Sequence, residues 1–246
     1  TVKTELRDSS GTFKASSDAS QFSITSNSTI QAVNKFELNG PVYWSPEYPY
    51  LYKLRVTIMQ GEQVIDVYGS DFGLYELVRK QGILMLNNAE FKFEEFGSTG
   101  ICANYSDIER DVKLIKSLGC NIIKVYGRPA SSYLIDICNK YGLLIMEEIP
   151  VFTVPSSILE SENFLQLAEN QLNEVILSHK NNPCIFAFGL GNDFDVTGAA
   201  GQTYVKRMVA AARNLDNRML YYSTRNYYDD KCRELVDIVG LNFYDN

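Results

Sequence analysis

The sequence predicts a multidomain β plus α/β chain: a small β-sandwich over residues 1–80, then, from about residue 82, parallel βα units of a barrel short of its eighth strand. Three observations predict this. Residues 1–80 lack helical periodicity and offer short runs rich in Val, Ile, Thr, Tyr and Phe, which is how strands read. Further on, apolar runs alternate with segments of helical spacing, and such alternation builds parallel units with right-handed crossovers. Finally, Asn181-Asn182-Pro183-Cys184-Ile185-Phe186-Ala187-Phe188-Gly189-Leu190-Gly191-Asn192-Asp193 is an apolar run entered through a proline and closed on an amide and a carboxylate. It reads as a buried strand with its chemistry at its C-terminal end.

The first eighty residues are divided by Asp8-Ser9-Ser10-Gly11, Ser26-Asn27-Ser28 and Gln60-Gly61-Glu62. Ile30, Ala32, Phe36 and Leu38 alternate with polar residues, as do Leu54, Val56 and Ile58, which predicts strands with one face on a core. A sandwich of this kind has roughly seven strands. Trp44-Ser45-Pro46-Glu47 followed by Tyr48-Pro49-Tyr50-Leu51-Tyr52 is the densest aromatic patch, suited to a packed cluster or to stacking on sugar rings.

Asn87-Asn88 lies between Ile83–Leu86 and Glu90–Phe93, a pair suited to the positive-φ positions of a tight hairpin joining the two domains. Ser106-Asp107-Ile108-Glu109 is a capping box, and Ile108, Val112, Ile115 and Leu118 continue at helical spacing to Gly119. A strand over 120–126 follows. Ser131 then opens a helix through Leu134, Cys138 and Tyr141 to Gly142, and Leu143–Glu148 is the next strand. A longer helix covers 161–179, the Pro183 strand follows, and a helix carrying Tyr204, Val205, Met208, Val209 and Ala212 precedes strands at 219–223 and 238–244. That makes six strands from Phe91 onward, the first inside the hairpin region. An eight-stranded barrel occupies about 250 residues, so the chain is expected to stop about two units short.

A net charge of −7 without a basic run argues against nucleic acid or an anionic membrane face as partner. Small neutral or polar molecules fit better. The five cysteines are widely spaced and sit mostly in apolar segments, as buried free thiols do. His179 is the only histidine, so no His-based metal site or Ser/His/Asp triad forms without it; at a helix end it suits a dipole-facing or solvated role. No run is long and apolar enough to span a bilayer, and no signal peptide lies within these residues. The chain begins inside an apparent strand, so a lost upstream signal and a secreted or periplasmic setting stay open. Asn27-Ser28-Thr29 and Asn104-Tyr105-Ser106 match the N-glycosylation pattern, which matters only in a eukaryotic secretory setting.

In alternating strand and helix folds, polar side chains at the carboxyl ends of strands face the substrate. Asn192 and Asp193 are therefore the first site candidates; the other reading is that they turn the chain and cap the next helix.

Trp44-Ser45-Pro46-Glu47 before Pro49-Tyr50-Leu51-Tyr52, then Leu86-Asn87-Asn88, then Tyr141-Gly142-Leu143-Leu144-Ile145-Met146-Glu147-Glu148 fall in the order found in one family. The chain resembles glycoside hydrolase family 2, the β-galactosidase, β-glucuronidase and β-mannosidase group. The resemblance implies an immunoglobulin-like β-sandwich at 1–80 and a TIM barrel over 82–246, incomplete in this chain. It implies carbohydrate, as a β-glycoside, for a partner, with no cofactor and no metal. Gly191-Asn192-Asp193 stands where the family has Gly-Asn-Glu, whose glutamate is the general acid/base, so Asp193 is the catalytic candidate. Its carboxyl is withdrawn by roughly 1 Å, a displacement that can cost on the order of a hundredfold in rate. Asn192 matches the asparagine that binds the sugar 2-hydroxyl, Glu148 the third-strand acid, and Tyr244 a sixth-strand tyrosine near the nucleophile. Lys124 replaces the usual second-strand arginine, with Tyr126 beside it as a further substrate-binding candidate.

Gly127 replaces a histidine, and the first strand's Asn-Arg-His-Glu type motif is absent around Glu95-Phe96-Gly97-Ser98. Retaining glycosidases need two carboxyl groups about 5 to 5.5 Å apart, and the family's nucleophile is a seventh-strand glutamate, outside this chain. Within the pairs Glu94/Glu95 and Glu147/Glu148, neighbours on one strand face opposite sides, which makes Glu147 the structural partner of Glu148. Asp195 reads as a loop or cap residue. Three functions follow as expectations: a retaining β-glycosidase with an altered acid/base, a relative that only binds carbohydrate or serves as a scaffold, and a spacer or adhesive role for residues 1–80.

Overall fold

The computed structural model describes residues 1–17, 20–98 and 105–243. The chain forms two compact units, Thr1–Phe91 and Lys92–Asn246. Tyr244 and the Asn104 of one glycosylation pattern lie outside the described residues.

In the first unit β1 (Val2–Arg7), β2 (Phe13–Ser16), β3 (Tyr52–Gln60) and β4 (Gln63–Phe72) make an antiparallel sheet in the order β2-β1-β3-β4. A second sheet is formed by β5 (Leu77–Lys80), β6 (Ile83–Leu86) and β7 (Ala89–Glu90). Leu6, Ala15 and Tyr52 are the buried centre, with Phe36, Leu38, Tyr50, Leu54, Phe72 and Leu74 packed around them. Asn87 and Asn88 both have positive φ, 51° and 66°, as a two-residue hairpin turn requires. The Asn87 side-chain amide also donates to the Trp44 carbonyl at 2.9 Å. Trp44 itself is fully buried, while Tyr48 and Tyr50 stack at 5.8 Å between centroids. The aromatic patch is thus largely a packed cluster.

The alternation at Ile30–Leu38 does not become a strand, and five strands rather than about seven fall within the described residues up to Lys80. Phe36 and Leu38 reach the core without joining a ladder. Asn34 instead uses its side chain to bind Thr4 Oγ1 at 2.9 Å and to accept from Ser20 at 2.8 Å. Side-chain bonds of this sort compete with ladder formation.

The second unit winds β8 (Glu95–Ser98), α1 (Tyr105–Ser117), β9 (Ile122–Val125), α2 (Ser132–Tyr141), β10 (Leu144–Glu148), α3 (Ser156–Leu159), α4 (Glu162–His179), β11 (Ile185–Asn192), α5 (Ala199–Arg213), β12 (Met219–Thr224) and β13 (Ile238–Leu241). All six strands are parallel, and their spatial order β13-β12-β11-β10-β9-β8 is their chain order. That is the winding of an open piece of a βα barrel. Every residue of β9, β10 and β11 is buried, as in strands covered on both faces.

Local signals place the helix ends. Ser131 Oγ accepts the Leu134 amide at 3.2 Å, and Gly142 closes α2 at φ 73°, a left-handed cap that glycine adopts without strain. Some boundaries differ from expectation. Ser106 lies inside α1 and is not its cap, and α3 has too few residues for its periodicity to register. The first strand of the parallel sheet is Glu95–Ser98, not the Phe91 region, because the second arm of the hairpin ends at Glu90. His179 is neither solvated nor merely dipole-facing. Its Nδ1 lies 2.8 and 3.0 Å from the two oxygens of Glu147, which also accepts the Ala130 amide at 2.8 Å. Cys138, Cys184 and Cys232 are buried free thiols and Cys120 is half-buried. No helix among the described residues is long and apolar enough to cross a membrane.

Candidate active site

The pleat of β10 separates its two acids. Glu147 turns to Ala130 and His179, while Glu148, also buried, turns to Gly127 just past β9 and to Tyr221 on β12. Its Oε1 accepts the Gly127 amide at 2.6 Å and its Oε2 the Tyr221 hydroxyl at 3.3 Å. Burial raises the Glu148 pKa, opposed by the Gly127 amide, Lys124 and Tyr221. Gly189 on β11 makes room for this arrangement: a Cβ there would stand 2.5 Å from Glu148 Cβ and 2.6 Å from Tyr221 Cζ.

Lys124, at the end of β9, is buried and donates to Ser223 Oγ. Its ammonium lies 4.6 Å from the Tyr126 ring centroid and 5.3 Å from that of Tyr221, within cation–π range. Desolvation lowers its pKa, against the opposing charges of Glu148, Glu95 and Asp193. Burial likewise raises the Tyr126 hydroxyl, with Glu95 and Glu148 adding to the shift. The cation, the Glu148 carboxyl and two phenols therefore share one poorly solvated space.

β11 ends in an unusual turn. Gly191 has φ 137°, and a Cβ there would approach the Val151 carbonyl to 2.6 Å. Asp193 follows at φ 53°, with its amide on the Ser223 carbonyl at 2.8 Å; aspartate is among the few residues that tolerate that region. The Asn242 side-chain amide donates to Asn192 Oδ1 at 2.7 Å and to Asp193 Oδ1 at 2.9 Å. Arg225 donates to Asp193 Oδ2 at 3.0 Å; the aspartate side chain is 0% exposed and that of the arginine 52%. Neither Asn192 nor Asp193 caps α5, whose N-cap is Gly198.

Asp193, Asn192, Lys124, Tyr126 and Glu148 thus gather at the carboxyl ends of β9, β10 and β11, linked through Ser223, Tyr221 and Asn242 from β12 and beyond β13. Asp195 is a loop residue that accepts from Ser156 at 2.5 Å and from the amide and hydroxyl of Thr197 at 2.8 Å, and these bonds lower its pKa. Glu95 is exposed at the start of β8. Sequence reasoning missed Ser223, Arg225 and Asn242. Their signal was the one that found Asn192, polar residues just at or past the end of an apolar strand.

The sequence pattern of the glycosyl hydrolases family 2 matches residues 1–74, and that of the glycosyl hydrolases family 2 TIM barrel domain matches residues 78–245. A β-galactosidase of Bacteroides ovatus is 26% identical over 203 residues, 78% of this chain and 24% of the relative. A β-glucuronidase of Streptococcus agalactiae is 25% identical over 225 residues, 82% of this chain and 38% of that protein. The crystal structure of a Ruminococcus gnavus β-glucuronidase superposes with a TM-score of 0.86 at 21% identity, covering 99% of this chain and 42% of that one, a likeness of fold. The chain thus spans about a quarter to two-fifths of the length of these relatives.

Proposed function

The chain belongs to glycosyl hydrolase family 2, and from that membership we propose that it supplies the sugar-binding and acid/base part of a retaining β-glycosidase. The β-linked sugar sits over the carboxyl ends of β9 to β13. Asn192 holds the 2-hydroxyl, and Lys124, Tyr126 and Glu148 contribute to the rest of the pocket. Asp193 is the acid/base, and the nucleophilic carboxylate comes from outside these 246 residues. One observation carries the reading: Asn192 and Asp193 emerge side by side from the buried end of β11 and are oriented by one amide, that of Asn242. The named relatives make β-galactosides and β-glucuronides the first substrates to try.

The mechanism needs little more from this chain. A hydrogen bond to the 2-hydroxyl that strengthens as the ring flattens lowers the barrier, and the low-dielectric setting of Lys124 and Glu148 amplifies each polar contact. A second reading is favoured by the burial of the Asp193 side chain under Arg225: a relative that has lost hydrolysis and keeps carbohydrate binding or a scaffolding role.

The test is hydrolysis of a panel of aryl β-glycosides by the full-length protein containing this chain, beside Asp193→Ala. Loss of activity in the variant with recovery in azide, which needs no general base, is the expected result. A well-folded wild type that turns over no activated glycoside would leave the binding role in its place.

A further inference from the structure

Both oxygens of the Asp193 carboxyl already face donors, Asn242 Nδ2 at Oδ1 and the Arg225 guanidinium at Oδ2. The guanidinium stays charged at any working pH; the aspartate side chain is wholly buried while that of the arginine is 52% exposed, so solvent screens the pair from the arginine's side only. Of the other charged groups, Lys124 on β9 interacts with the aspartate as a second cation. Donors on both oxygens favour the ionised form, and a general acid must carry a proton when substrate binds. The backbone keeps the arrangement in place, because the Asp193 amide is bonded to the Ser223 carbonyl two residues before Arg225.

We infer that Arg225 is a positioning residue that holds the Asp193 carboxyl back from proton donation, so that the site selects β-glycosides of phenols over those of alkyl alcohols or further sugars. The inference rests on the glycosidase reading above. In the first step the glycosidic C–O bond breaks and its electron pair departs on the aglycone oxygen, while the anomeric carbon passes to the carboxylate nucleophile. Without a proton from Asp193 the aglycone leaves as an anion, which a phenol tolerates and an alkyl alcohol does not. Water then displaces the nucleophile, its hydroxyl going to the anomeric carbon and its proton to the ionised Asp193 carboxylate, the general base of this step, which releases it to solvent, so that glycoside and water become free sugar, phenolate and one proton.

The experiment compares kcat/KM across aryl and alkyl β-glycosides for the full-length wild type, Arg225→Gln and Arg225→Lys. Wild type should lose rate steeply as the leaving-group pKa rises. Arg225→Gln should flatten that dependence, gaining about tenfold on alkyl substrates for each pKa unit by which Asp193 rises, and Arg225→Lys should keep the wild-type slope. A second readout needs no turnover: titration of the Asp193 carboxyl by isotope-edited infrared difference against Asp193→Asn. Its midpoint should rise by at least about one unit in Arg225→Gln. A wild type that cleaves alkyl and aryl glycosides alike, or an Asp193 midpoint unmoved in Arg225→Gln, overturns the inference and leaves the glycosidase reading standing. A midpoint that moves in a protein inert to every glycoside shows instead that the glycosidase reading has failed, and the selectivity falls with it.

Discussion

The Gly127 amide donates to Glu148 Oε1 across 2.6 Å, so a position without a side chain supplies the acid with a backbone donor. Burial still outweighs that bond and holds the Glu148 pKa above its ordinary 4.5. Between the unfolded and folded values, the folded state therefore binds more protons than the unfolded one. Its contribution to stability is most favourable below about 4.5 and is lost as pH rises through the folded pKa. Glu148→Gln can keep the Gly127 bond through its amide oxygen and cannot ionise. Urea midpoints measured from about pH 4 to about pH 7 should show the variant gaining on wild type as pH rises; a pH-independent difference would contradict the assignment.

Gly189→Ala puts a methyl group 2.5 Å from Glu148 Cβ and 2.6 Å from Tyr221 Cζ. Both neighbours are buried, so neither can swing aside. A cost of about 1–3 kcal/mol is expected, read by chemical denaturation, and any hydrolytic activity should fall with it. A variant as stable as wild type would mean that β10 and β12 yield more easily than their packing implies.

His179 is bonded to a Glu147 carboxylate with no exposed surface. His179→Ala leaves that carboxyl with the Ala130 amide as its remaining partner among those described here, and leaving a buried acceptor short of a hydrogen bond costs about 1–3 kcal/mol. Pairing the change with Glu147→Gln should recover part of the loss. A double-mutant cycle on denaturation midpoints measures the coupling, expected at about 0.5–3 kcal/mol.

Asn192→Ala removes an acceptor from Asn242 and, on the proposed mechanism, the contact to the 2-hydroxyl. Loss of a contact that strengthens in the transition state lowers kcat/KM by about 10²-fold. Aryl glycosides and their 2-deoxy counterparts, assayed side by side, check it: the substitution should hurt the former and spare the latter.

What the sequence disclosed was local. The Asn87-Asn88 turn, the Ser131 and Gly142 caps and the apolar run into Asn192 each depend on neighbours in the chain, and the structure has them where the residues imply. The partners of the candidate site depend on how strands align. Gly189 lies opposite Tyr221, but a register shift then sets Asn192 opposite Ser223. That one-residue slip, which no periodicity records, puts the Asp193 amide on the Ser223 carbonyl. The Glu147–His179 bond and the missing strand at Ile30–Leu38 are hidden for the same reason, since both are decided by contacts distant in sequence.

The open ends of the parallel sheet matter at the bench. Among the described residues β13 pairs with β12 alone, so no further strand borders the uncharged run Ile238-Val239-Gly240-Leu241 there. Such a margin templates adhesion between chains. Prepared by themselves, these 246 residues should self-associate with rising concentration, and a charged residue placed at Leu241 should suppress it. Light scattering before any enzymology would then tell a self-associating chain from an inert one.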